Sequence, residues 1–377
     1  MNTGTALTPT PRSPTTWGER LQRLHIDLWL LTLLLAIACI GLITLYSASG
    51  HSLSAIFAQA QRLLLGLAVM AALAQVPPDY YRAAAPWFYG VAVLLLMLVL
   101  LLGDHAKGAQ RWLDLGVIRF QPSEMMKLGM PMMVAAWLHG RALPPTWKVV
   151  LITLAIIGVP AVLVMMQPDL GTALLIISAG AFGLYLGGLS WRWILGALAA
   201  AAAAAPLLWF RLHEYQRQRV LTFLDPERDP LGTGYHITQS KIAIGSGGVF
   251  GKGWLHGTQA KLDFLPESHT DFIFAVYSEE MGMMGVILLL GLYTMVVGRG
   301  LFIALRGHDS FQRLLAGSLA LTFFIYVFIN MGMVMGLMPV VGVPLPLLSY
   351  GGTSAVTLLA GFGMLMSIHT HRKLLTS

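Results

Sequence analysis

The feature that most constrains this chain is its series of long, unbroken apolar runs, such as the stretch 86–103, which ends in VAVLLLMLVLLLG. Runs of this length match the roughly 20 residues that a helix needs to cross a lipid hydrocarbon core. Lipid offers no partner to backbone N–H and C=O groups, so only helices or closed barrels satisfy them there. A barrel strand alternates apolar and polar residues, and these runs do not alternate. Helices therefore follow. Charged residues make up 11% of the 377 positions, against about a quarter in a soluble domain. That density cannot cover a water-facing surface, which excludes both a soluble enzyme and a disordered chain. The sequence predicts an all-α, polytopic integral membrane protein.

Ten runs are expected as spans, at 28–46, 53–76, 86–103, 122–139, 148–166, 170–188, 192–210, 271–297, 312–337 and 351–368. A tail over 1–25 precedes a single membrane domain over 26–377, and a large loop over 210–270 separates the seventh run from the eighth. The first run lacks a small-x-small cleavage site and reads as a retained helix. Cys39, the one cysteine, lies within it, so no intrachain disulfide is possible. Ala199–Ala205 supplies small residues that suit close helix packing. The net charge of +7 is not gathered into a basic block, which argues against nucleic acid as a partner.

Lys and Arg concentrate in short cytoplasmic loops. With the N-terminus inside, twelve of the 24 basic residues fall on the inner side, while segments 47–52, 167–169 and 338–350 have none. Both termini are then cytoplasmic. Two outer stretches run against the bias: Lys107, Arg111 and Arg119 lie in 104–121, with Lys127 just beyond, and 211–270 holds seven more. Basic residues kept there point to an anionic ligand, unless they pair with Asp104, Asp114 and Glu124.

The long outer segment has enough sequence for a site. Its GSGGVFGKG is not a phosphate-cradling P-loop, because position 246 is Ser and Gly253 follows the lysine. Asp271 stands at the mouth of the eighth run, either as a helix N-cap or as a proton acceptor. Asp169, in QPDLGT, poses the same choice. Glu279 and Glu280 fall deeper, where a charge must face protein or water. His256, Glu267, His269 and Asp271 match no standard zinc spacing, and the metal assignment stays open. PVVGVPLPLLSYGGTS forms either a re-entrant wall or a plain turn.

The stretches KGAQRWLDLGVIRFQPSEMMKL, QPDLGT, YQRQRVLTFLDPERDPLGTGYHITQSKIAIGSGGVFGKGWLHGT, FLPESHTDFIFAVYSEEMG and PLPLLSYGG are ordered as in a known family. The chain resembles the SEDS (shape, elongation, division, sporulation) proteins over all but about its first 25 residues. HTDFIFA is shared with the division branch, and GKGWLHGTQ looks like the elongation branch. The resemblance implies ten spans in the bacterial inner membrane and a periplasmic large loop. It further implies a peptidoglycan glycosyltransferase that polymerises lipid II. A class B penicillin-binding protein, a transpeptidase of the elongation machinery, is the implied partner.

The family's essential aspartate matches Asp271, its QRW arginine Arg111, its SExxK lysine Lys127 and its QPDLGT aspartate Asp169. Gln216, Arg217, Gln218, Arg219, Lys241 and His269 complete the expected substrate contacts. A divalent cation, Mg or Mn, bridging the substrate diphosphate is the expected cofactor, with none covalently bound. A lipid II transporter, a scaffold and the division branch are the competing readings.

Overall fold

The computed structural model describes residues 25–106, 109–114, 119–211, 214–225, 229, 232–261 and 267–371, so all of the expected tail but His25 lies outside it. The described residues open with three helices, α1 (Leu28–Ala48), α2 (Leu53–Ala74) and α3 (Pro78–Leu102). Strands β1 (Asp104–Ala106), β2 (Ala109–Asp114) and β3 (Arg119–Phe120) follow. Four more helices come next: α4 (Pro122–Leu138), α5 (Trp147–Met166), α6 (Leu170–Leu186) and α7 (Trp191–Arg211). Short helices α8 (Glu214–Leu224), α9 (Thr233–Ser246) and α10 (Thr258–Lys261) lead to α11 (Ile273–Leu305), α12 (Ser310–Val334) and α13 (Thr353–Thr370).

Among the described residues, ten of these helices fall on the ten apolar runs. Seven are long and apolar enough to cross a membrane, and α6 is apolar but only 17 residues long. The helix starts follow local chemistry. Asp27 caps α1 by accepting from the Leu30 N–H at 3.1 Å, and Asp309 caps α12 by accepting from Gln312 at 2.8 Å. α3 begins at Pro78, well before the apolar run at 86, because proline at the first helical position has no N–H to leave unsatisfied.

α12 is the centre of the bundle, packed on α4, α6, α11 and α13, while α13 packs on α2, and α1 on α11. One end is closed by ion pairs. Arg299 of α11 reaches Asp27 at 2.7 Å, the His25 and His371 rings stack at 3.9 Å, and Arg82 contacts His139 at 3.0 Å. The opposite end carries the antiparallel sheet, ordered β1-β2-β3, with Asp104 opposite Trp112 and Leu113 opposite Phe120.

The Pro/Gly-rich stretch before α13 is a buried re-entrant segment and not a surface turn. Leu345, Leu347 and Leu348 are buried, the Tyr293 hydroxyl donates to the Pro346 carbonyl at 2.7 Å, and Gln59 donates to the Ser349 carbonyl at 3.2 Å. Irregular backbone at this depth is tolerated because protein side chains take up its polar groups.

Candidate functional site

Asp271 is half-buried where the chain enters α11. The helix begins at Ile273 with Phe272 at the cap position and no side-chain cap bond, so capping is not the role the structure gives Asp271. Asn330 of α12 fixes the backbone here, donating to the Asp271 carbonyl at 2.9 Å and to the Val343 carbonyl at 2.7 Å. The carboxylate faces the re-entrant segment. Gly342, at φ +72°, would place a Cβ 3.5 Å from Asp271 Oδ2, an ordinary contact, so it is the backbone conformation that favours glycine beside the acid. From α9, His236 packs on Phe272 with ring centroids 5.7 Å apart. Burial pushes the His236 pKa down, against the opposing pull of Glu267 and Asp229. Lys241, further along α9, is exposed and lies over Gly336.

Alternation along β2 splits its side chains between two environments. Arg111 turns to the 167–169 corner, where it donates to the Gln167 and Pro168 carbonyls and stands 3.7 Å from Asp169 Oδ2. Asp169 is a true N-cap, accepting from the Thr172 N–H at 3.1 Å, and it also takes a bond from Gln121 at 3.3 Å. The next residue but one, Gly171, abuts Val341, whose carbonyl lies 2.7 Å from where a Cβ would stand. Gly171, two residues past the Arg111-paired Asp169, and Asp271 therefore meet the same short strip, 341–343.

Trp112, on the other side of β2, lines a cavity of about 740 Å³ with Arg62, Phe120, Glu124, Tyr350 and apolar residues of α2, α3 and α13. Arg62 sits over the Tyr350 ring at 4.6 Å, and the Tyr350 N–H donates to the His269 carbonyl at 2.9 Å. His269 is thereby tied to the cavity's lining. Lys127 is buried, paired with Glu124 at 2.7 Å and placed 5.2 Å from the Tyr326 ring. The pairing with Glu124 left open by the sequence is found, while the Asp104 and Asp114 side chains lie outside the described residues.

Arg217 donates to the Trp209 carbonyl at 3.1 Å, Gln218 is exposed, Arg219 is half-buried, and the Gln216 side chain lies outside the described residues. The structure thus joins Asp271, His269, Asp169 and Arg111 through the re-entrant segment, whereas the contact described for Arg217 runs toward α7. Among the described residues, no three His, Cys, Asp or Glu side chains gather as metal ligands would. His256 is turned to the Trp254 carbonyl at 2.8 Å.

Sequence reasoning missed Asn330, Gly342, Gln121 and the Arg62–Tyr350 pair. A signal for Asn330 was available. Ser318, Thr322, Tyr326 and Asn330 recur every fourth residue in an apolar run, which lines one helix face with polar groups.

Comparison with known proteins places these features in a family. Residues 24–374 match the family model of FtsW, RodA and SpoVE, described as cell cycle proteins. The chain is 52% identical over 371 residues to the peptidoglycan glycosyltransferase MrdB of Escherichia coli K12, covering 98% of this chain and 99% of the relative. It is similar to a chain of a peptidoglycan synthase complex, solved for how polymerization and crosslinking are coordinated, at 35% identity and TM-score 0.80 over 91% of this chain and 97% of that one. It is also similar to the rod shape determining protein RodA of Thermus thermophilus, at 31% identity and TM-score 0.70 over 92% and 98%.

Proposed function

The chain belongs to the family of FtsW, RodA and SpoVE cell cycle proteins, and from that premise we infer that it is a peptidoglycan glycosyltransferase of the elongation branch, polymerising lipid II into glycan strands. The identity to the Escherichia coli glycosyltransferase over nearly its whole length supports the activity. The observation that carries the site is the half-buried Asp271 carboxylate against a strip that also packs on Gly171, two residues past the Arg111-paired Asp169.

Lipid II is a disaccharide-peptide on an undecaprenyl diphosphate. In the reaction a sugar hydroxyl of one molecule attacks the anomeric carbon of another. The new C–O bond forms as the bond to diphosphate breaks. Asp271 accepts the hydroxyl proton as general base. The diphosphate leaves with growing negative charge, which the cationic groups Arg111 and Lys127 stabilise electrostatically. A single displacement inverts the anomeric centre, giving a β-linked glycan from an α-linked donor. The 740 Å³ cavity, mostly apolar with Arg62 in its lining, suits a lipid chain beside a charged headgroup. A divalent cation would be held mainly by the substrate's own diphosphate, with Asp271 able to supply a carboxylate, and would offset negative charge on the leaving group. The described residues offer no cage for a resident ion.

Ten crossings with both termini cytoplasmic complete the reading. The ten helices on the ten apolar runs support it, as does the gathering of Arg82, Arg299 and the described chain ends at one end of the bundle. A class B penicillin-binding protein is the crosslinking partner, supported by the likeness to a chain of a synthase complex. The purified full-length protein, given lipid II in detergent micelles, makes polymer if this reading holds. A lipid II transporter makes none, because transport requires two compartments.

A further inference from the structure

The segment GGVFGKGWLHGT, residues 247–258, joins α9 to α10 and lies against α11. α11 is interrupted there. Gly282 has φ 64° and ψ −166°, outside the helical region. A break of this kind frees four backbone groups, the carbonyls of Glu279 and Glu280 and the N–H groups of Met283 and Met284, which would otherwise pair with one another. All four are taken by the segment. Lys252 and Gly253 donate to the Glu279 and Glu280 carbonyls at 3.0 Å each, while Met283 and Met284 donate to the Gly248 and Val249 carbonyls at 2.9 and 3.1 Å. A side chain on Gly251 would overlap the Glu280 carbonyl, so this approach requires glycine.

The two buried glutamates complete the junction. Glu279, fully buried, is 2.6 Å from Lys252 Nζ and accepts from the Thr258 N–H at 2.9 Å and hydroxyl at 2.8 Å. Glu280 accepts from the Leu255 N–H at 3.1 Å and from Ser47 of α1. The Glu279–Met283 and Glu280–Met284 rungs of the ladder are lost at Gly282, so the segment's four backbone bonds bridge the outer piece Ile273–Met281 to the rest of α11. Beside them stands one side-chain bond across the break, from the Tyr277 hydroxyl to the Gly285 carbonyl at 2.8 Å. That outer piece starts two residues after Asp271.

We propose that Lys252 and Glu279 are positioning residues, whose ion pair clamps the outer piece of α11 and thereby sets where the Asp271 carboxylate stands. This rests on Asp271 as the base of the polymerase reading. The test compares full-length wild type, Lys252→Met and Lys252→Arg, measuring steady-state lipid II polymerisation in detergent and backbone amide exchange. Displacing a catalytic group by a fraction of its reach is expected to lower kcat by about 10- to 100-fold, with KM held within about twofold. Lys252→Arg keeps the charge and recovers about half the wild-type rate or more. Exchange in Lys252→Met rises over 248–259 and 272–281, while 283–305 stays as in wild type. Wild-type kcat in Lys252→Met overturns the proposal, as does faster exchange spread evenly over both pieces of α11. A wild-type chain that makes no glycan refutes the polymerase reading instead, and the exchange pattern then decides the clamp alone.

Discussion

The Asn330 side-chain amide stands 2.9 Å from the Asp271 carbonyl and joins it to the Val343 carbonyl, 2.7 Å away. The acid is thus referenced to the most buried helix of the bundle as well as to the outer piece of its own, which is broken at Gly282. Replacing Asn330 with Ala leaves two buried carbonyls without this donor. That is expected to cost on the order of 2 kcal/mol of stability. Because the geometry at Asp271 relaxes as well, kcat should fall by about tenfold or more. Thermal denaturation in detergent and the polymerisation rate measure the two effects separately.

Gly342→Ala places a methyl group 3.5 Å from Asp271 Oδ2 on a backbone at φ +72°. The left-handed conformation costs a non-glycine residue about 1–2 kcal/mol. The expected result is a folded protein with a lowered melting temperature and reduced polymerisation, and Gly342→Val should be worse on both counts.

Much of this architecture was legible in the residues. The run at 28–46 became α1, Leu28–Ala48, and 122–139 became α4, Pro122–Leu138, because apolar length alone decides a helix in lipid. α3 began eight residues before its run because Pro78 and Asp79 suit a helix start outside the apolar window. Two aspartates with the same sequence ambiguity separated: Asp169 caps α6, and Asp271 does not cap α11. Nothing local distinguishes them. The two glutamates before Gly282 marked a polar spot in the run, but the break itself was hidden, since its compensating bonds come from residues about thirty positions earlier. The Arg111 contact with the 167–169 corner is likewise a product of packing, which spacing cannot show.

Lys127 and Glu124 are both buried and 2.7 Å apart. Removing one partner leaves an isolated buried charge, so Lys127→Met is expected to cost about 3–5 kcal/mol. Lys127→Met combined with Glu124→Gln should recover much of that stability. If Lys127 also meets the diphosphate, the double variant stays inactive despite its recovered fold. A double-mutant cycle on melting temperature, run beside the polymerisation assay, separates the two roles.

His236 has its pKa lowered by burial. The folded protein therefore holds the neutral ring more readily than the unfolded chain does. Well above the unfolded value of about 6.5 this has no effect on stability. As pH falls below it toward the lowered folded value, the unfolded chain takes up a proton that the folded one refuses, and stability drops. His236→Asn should flatten the decline in melting temperature between about pH 7 and pH 5. An unchanged slope in that variant would assign the acid sensitivity to other groups.

The central claim is that Asp271 takes the proton from the attacking hydroxyl. The direct measurement is the rate of glycan formation by purified full-length Asp271→Asn with lipid II in detergent, beside wild type, with melting temperatures recorded for both. A near-isosteric change that removes the base should lower the rate by about 10²- to 10⁴-fold while the melting temperature stays close to wild type. Polymerisation by Asp271→Asn at the wild-type rate would contradict the account.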